Sequence, residues 1–145
     1  RQESLVVSTK RHPMEIDMTT ACDENGYLTA MKAVIISDTG AYASLGGPVL
    51  QRACTHAAGP YNYHNISIVG TAAYTNNPPA GAFRGFGAPQ AIFAVERQMD
   101  KIAGILGINP LDQPAVELGK RLANARLGAG GYTQEEADLA ARLLG

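Results

Sequence analysis

The residues best suited by type and spacing to do chemistry lie in one run, Thr75-Asn-Asn-Pro-Pro-Ala-Gly-Ala-Phe-Arg-Gly-Phe-Gly-Ala-Pro-Gln90. Glycines at 81, 85 and 87 surround Arg84, which stands between Phe83 and Phe86. Glycine lets backbone N–H groups come close to a ligand. The run also feeds a helix start, whose unpaired N–H groups favour negative charge. Phe83 and Phe86 could offer ring faces or edges to a planar ligand. A plainer reading stays open here, in which the glycines only permit a tight turn and the phenylalanines belong to a core. The run is not a phosphate P-loop, because the Gly-Lys-Ser/Thr ending is missing. Nor is it a dinucleotide fingerprint, since Gln90 stands where a third glycine belongs.

The elements that must position this run are read from periodicity. Ser4-Leu-Val-Val-Ser8 reads as a short strand. Met14-Glu-Ile-Asp-Met-Thr-Thr20 alternates apolar and polar residues, as a half-buried strand does. Asn25-Gly26 adopts the positive φ angles of a hairpin turn with ease, and the return strand runs from Tyr27 to Ser37 before Asp38-Thr-Gly40. Gly46-Gly47-Pro48 reads as a breaker, followed by a short helix from Val49 to Ala58 that Gly59-Pro60 stops. Ile66 to Tyr74 reads as another strand, and Asn76 to Gly81 as an irregular loop. A long helix is predicted from Pro89 to Leu106, with Ile92, Val95, Met99, Ile102 and Leu106 on one face and Gly107 at its stop. Two further helices are expected at Pro114–Ala125 and Thr133–Leu144, the second opened by a Thr133/Glu136 capping box. Strands followed by helices, without strict alternation, predict an α+β fold.

Composition narrows the function classes. The 145 residues suffice for one domain with a real core. A formal net charge of -1, with 12 scattered Lys and Arg residues, gives no clustered positive field for nucleic acid. No apolar stretch approaches the roughly 20 residues of a membrane span, and no signal-peptide pattern opens the chain. Cys22 and Cys54 lie far apart and fit neither a metal pair nor a disulfide framework. They read as reduced thiols of a cytoplasmic protein.

Ala82-Phe-Arg-Gly-Phe-Gly-Ala-Pro-Gln90 resembles the signature of the large molybdopterin-binding subunit in the xanthine dehydrogenase/aldehyde oxidase family. Thr75-Asn-Asn-Pro-Pro-Ala-Gly81, Lys10-Arg-His-Pro13, the hairpin, Asp38-Thr-Gly-Ala-Tyr42 and Leu106-Gly-Ile-Asn-Pro-Leu-Asp112 resemble that family in the same order. The resemblance implies a molybdopterin-binding domain fragment over residues 1–112, with 113–145 a helical tail of open role. By the resemblance Gly81, Ala82, Phe83 and Arg84 contact the cofactor, and the Arg84 backbone hydrogen-bonds the metal's oxygen ligand. Gly81 and Ala82 would be small because the cofactor leaves no room. Phe83 and Phe86 would contact an aromatic substrate. Arg52, in Leu50-Gln-Arg-Ala-Cys54, matches an arginine of purine-hydroxylating members, where a guanidinium bonds a ring carbonyl and stabilises charge spreading onto the heterocycle. His56 lies one helical turn beyond it and reads as structural. His12 and His64 carry no separate hypothesis.

The implied activity is hydroxylation of an aromatic N-heterocycle, purines first, with nicotinate-like rings or aldehydes behind. No cysteine stands in Ala82–Gly87 as in the carbon monoxide dehydrogenase branch, and Phe86 stands where hydroxybenzoyl-CoA reductases tend to have histidine. The implied cofactor is molybdenum–molybdopterin, in its cytosine dinucleotide form for a bacterial parent. Iron–sulfur clusters and FAD would sit on partner subunits or domains, beside the remainder of the large subunit. The family's Gly-Glu general-base motif does not occur in these residues, nor does its glutamine segment, so the fragment is expected to be inactive alone. It is also expected to expose an apolar patch near Phe83 and Phe86. The alternative of another class is a non-catalytic ligand-binding or assembly module that retains the fold.

Overall fold

A computed structural model describes residues 1–109 of the chain. The first element is a short helix, α1 (Gln2–Val7), where the sequence reads as a strand. Val6 and Val7 are largely exposed and pair with no other strand. Local bonds close the turn instead: the Ser8 hydroxyl donates to the Ser4 carbonyl, as does Lys10 Nζ at 2.8 Å.

The expected hairpin forms from β1 (Met14–Cys22) and β2 (Leu28–Gly40), paired antiparallel from Met14 opposite Ser37 onward. Its turn is wider than the Asn-Gly reading. Only Gly26 takes positive φ, at 84°, and its N–H donates to the Asp23 carbonyl at 3.1 Å. The Asp23 carboxylate accepts from the Asn25 and Tyr27 N–H groups, which leaves Asn25 in an ordinary turn conformation.

Helix α2 (Gly46–His56) begins three residues earlier than expected, because Gly46-Gly47-Pro48 forms its first turn rather than breaking the chain. Pro48 lacks the N–H that a first turn could not pair anyway. A Cβ on Gly46 would meet Thr39 Cγ2 at 2.4 Å, so only glycine lets the helix start this close to β2. Gly59, at φ +61°, ends the segment with its N–H on the His56 carbonyl. The chain returns as β3 (Asn65–Tyr74), which pairs parallel with β2, giving a sheet in the order β1-β2-β3.

Helix α3 (Ala88–Leu106) matches the predicted span, and Gly107 at φ +69° follows its last turn. Val95 of the predicted inner face is fully buried, and Ile92, Met99, Ile102 and Leu106 are partly so. Both helices cover one face of the sheet. Met31, Ala33 and Ile35 of β2 meet Leu50, Ala53 and Ala57 from α2 and its end, with Ala91 of α3. The architecture is α+β, as expected, and in it α2 and α3 pack on one face of a mixed sheet. The two helices expected beyond residue 113 lie outside the described residues. No helix among the described residues is long and apolar enough to cross a membrane.

Candidate functional site

The run from Thr75 to Gln90 connects β3 to α3, and its entry is anchored by Asp38 at the end of β2. The Asp38 carboxylate accepts from Thr75 Oγ1 at 2.7 Å, Asn77 Nδ2 at 2.6 Å and the Gly40 N–H at 2.7 Å. These donors, the Thr75 hydroxyl first, hold the carboxyl below its usual range. A Cβ on Gly40 would lie 2.4 Å from the Pro78 carbonyl oxygen, so β2 and the proline loop touch backbone to backbone.

Three consecutive residues before β1 then hold the loop along its length. The Lys10 carbonyl accepts from the Gly81 N–H at 3.0 Å. Arg11 Nη2 donates to the Arg84 carbonyl at 2.8 Å, and its guanidinium carbon lies 4.6 Å from the centre of the Phe83 ring. The His12 carbonyl accepts from Gln90 Nε2 at 3.0 Å. The His12 ring is 1% exposed, and neither nitrogen meets a partner in hydrogen-bonding geometry. Burial pushes its pKa down, against the opposing pull of the nearby Gly81 backbone and the Asp38 charge. Arg11 was not singled out by its residue type, because its partners are far along the chain.

Gly85, Phe86 and Gly87 all have positive φ, at 91°, 51° and 95°. An aromatic residue is rare there and costs free energy, which the flanking glycines limit to one position. Gly87 is buried against α2: a Cβ on it would lie 2.2 Å from the Val49 carbonyl oxygen. That approach sets Phe86 beside α2, where it lines a cleft of about 330 Å³ with Pro48, Gln51, Arg52 and Thr55. Two residues singled out from sequence, Arg52 and Phe86, therefore share one opening although they lie on separate elements. Arg52 is exposed and its carbonyl is bonded to His56 Nδ1 at 2.8 Å, a local helical contact. Cys54 does not line this opening; it packs against Gly70 of β3, where burial raises its thiol pKa. A wider groove of about 620 Å³ between β1 and α3 includes Arg11, Gln90 and Phe93 and reaches neither Arg52 nor Phe86.

The expected apolar patch is present in part, with Phe83 50% exposed and Phe86 half-buried. Gly81 is buried, and a Cβ there would meet Thr9 Oγ1 at 2.7 Å, so a contact within the chain already demands its small size. Ala82, Phe83, Arg84 and Gly85 are exposed, and their backbone N–H groups find no acceptor among the described residues. No three His, Cys, Asp or Glu side chains come together as metal ligands among the described residues. What this loop offers is a row of unpaired backbone donors, followed in the chain by Phe86, which lines the 330 Å³ cleft. Such a row suits an oxygen-rich anionic group, and the residues present fit a pterin cofactor and its oxygen ligands.

Residues 1–113 match the family model of the molybdopterin cofactor-binding domain, and the chain belongs to that family. It is 49% identical over 112 residues to a probable xanthine dehydrogenase subunit of Bacillus subtilis (strain 168), covering 77% of this chain and 15% of that protein. It is 44% identical over 130 residues to the nicotinate dehydrogenase large molybdopterin subunit of Eubacterium barkeri, covering 88% of this chain and 31% of that protein. The aldehyde oxidoreductase structure from Desulfovibrio gigas superposes with a TM-score of 0.69 at 38% identity, over 71% of this chain and 11% of that one. The chain thus spans between 15% and 31% of the length of these two curated relatives.

Proposed function

We propose that this chain forms part of a molybdenum hydroxylase that acts on an aromatic N-heterocycle, with purines ahead of nicotinate-like rings and aldehydes. The observation that carries this reading is the shared cleft of Arg52 and Phe86 beside the exposed donors of the signature loop. Two of its relatives are named for heterocyclic substrates, xanthine and nicotinate. When bound, the cofactor supplies the metal at which an electron-poor carbon is hydroxylated and through which its electrons leave.

The residues of this chain bind and orient. Gly81, Ala82, Phe83 and Arg84 would hold the cofactor, the Arg84 backbone offering a hydrogen bond to the oxygen on its metal. Phe86 presents its ring to the heterocycle, and Phe83 borders it. Arg52 donates to a ring carbonyl and stabilises negative charge as it spreads onto the ring, a donation worth most where water is excluded. The proton-accepting carboxylate is supplied from elsewhere in the parent, so the 145-residue chain does not turn over alone. On this reading residues 1–112 are the domain segment, the parent is cytoplasmic, and a bacterial parent carries the cytosine dinucleotide form. Iron–sulfur clusters and FAD, on partner subunits or domains, take the electrons.

The test is metal and pterin content of the full-length parent from its own host, followed by turnover on purines, nicotinate and aldehydes. Near-stoichiometric molybdenum and pterin with purine turnover is the expected result. A matured parent without pterin would overturn the reading in favour of a non-catalytic binding or assembly module.

A further inference from the structure

We propose that Arg11 is a positioning residue, a clamp that presets the unpaired backbone donors of the signature loop; the inference rests on the reading that this loop faces the cofactor. Arg11 makes three distinct contacts on one side of the loop. Nη2 donates to the Arg84 carbonyl at 2.8 Å, the guanidinium carbon lies over the Phe83 ring at 4.6 Å, and Nη1 approaches Gln90 Oε1 at 3.5 Å. Gln90 is itself tied to the His12 carbonyl, next to Arg11 in the chain.

The consequence follows from the planarity of the peptide unit. The Arg84 carbonyl and the Gly85 N–H belong to the same peptide and point in opposite directions. By drawing the carbonyl toward itself, Arg11 aims the Gly85 N–H away, on the side where it has no acceptor among the described residues. The neighbouring φ of +91° at Gly85 means this peptide can rotate readily if the carbonyl is released. Stacking on Phe83 fixes the other end of the same turn. A planar, multiply donating side chain can serve a carbonyl, an amide oxygen and a ring together, whereas an ammonium cannot. None of this requires Arg11 to touch substrate or cofactor.

The experiment uses the full-length parent, loaded as isolated, with Arg11→Met and Arg11→Lys. Amide hydrogen exchange is read at Phe86 and Ala88, whose N–H groups are bonded to the Phe83 and Gly85 carbonyls. Loss of a charge-assisted hydrogen bond is expected to speed exchange there about tenfold in Arg11→Met, with Arg11→Lys in between. Turnover is expected to fall about tenfold to a hundredfold in kcat, with KM changed far less and pterin content unchanged. Parental exchange at these amides, in whichever variant folds, overturns the clamp. Faster exchange with parental kcat overturns the positioning role. A parent that carries no pterin fails the functional reading instead, and the exchange rates then decide the clamp by themselves.

Discussion

Gly87 and Val49 stand so close that a single β-carbon on Gly87 would lie 2.2 Å from the Val49 carbonyl oxygen. This contact fixes the start of α3 against α2 and so fixes Phe86 beside Arg52. Ala at Gly87 would face both that backbone oxygen and a φ of +95°. Gly87→Ala is expected to destabilise the protein by roughly 2 to 5 kcal/mol. Thermal unfolding checks it, and a melting temperature within a degree of the parent's would contradict the contact.

Gly104 gives the opposite expectation. It lies in the last turns of α3, with nothing within 4 Å of a built β-carbon and no positive φ. Gly104→Ala is expected to stabilise by about 0.5 kcal/mol, since alanine loses less chain entropy in a helix. A fall in denaturation midpoint would show that the position packs against something.

Asp38 sets an acid dependence. Its carboxyl is held below the usual range by Thr75, Asn77 and Gly40, so the folded-state pKa lies below the unfolded one. The stabilisation is therefore complete above the unfolded carboxylate pKa and is lost as pH falls through the folded pKa. Asp38→Ala is expected to lower the melting temperature at pH 7, with the gap to the parent narrowing below about pH 4. A gap that is constant with pH would contradict the role of its charge.

Cys54 is expected to be a poor nucleophile at neutral pH, since burial raises its thiol pKa and the sulfur packs against Gly70. In a Cys22→Ser background, its alkylation near neutral pH should be slower than that of a small free thiol. Equal or faster alkylation would show that Cys54 opens onto the site.

The hairpin and α3 were legible because each rests on a local period, and β3 because its residue types favour a strand. Apolar residues alternate along β1, and the face from Ile92 to Leu106 repeats with the helical turn. The start of α2 was not, because Gly46-Gly47-Pro48 breaks a helix by propensity alone, whereas here the close approach to Thr39 selects it. Nor was α1, six residues closed by local contacts to Ser8 and Lys10. Within the site, the loop and Arg52 could be named from their residues and the family likeness. Their meeting at Phe86 could not, since it depends on three successive positive φ angles. Arg11 was silent for a similar reason: its partner Arg84 is 73 residues away.

The most direct measurement is kcat/KM for a purine in the full-length parent and its Arg52→Met variant, at matched molybdenum and pterin content. A guanidinium that stabilises charge on the ring should cost the variant about a hundredfold to a thousandfold when removed. A loss of that size, with thermal stability unchanged, is the predicted result. Parental kcat/KM in a fully loaded variant would contradict it, and the cleft between Arg52 and Phe86 would then not be where the heterocycle binds.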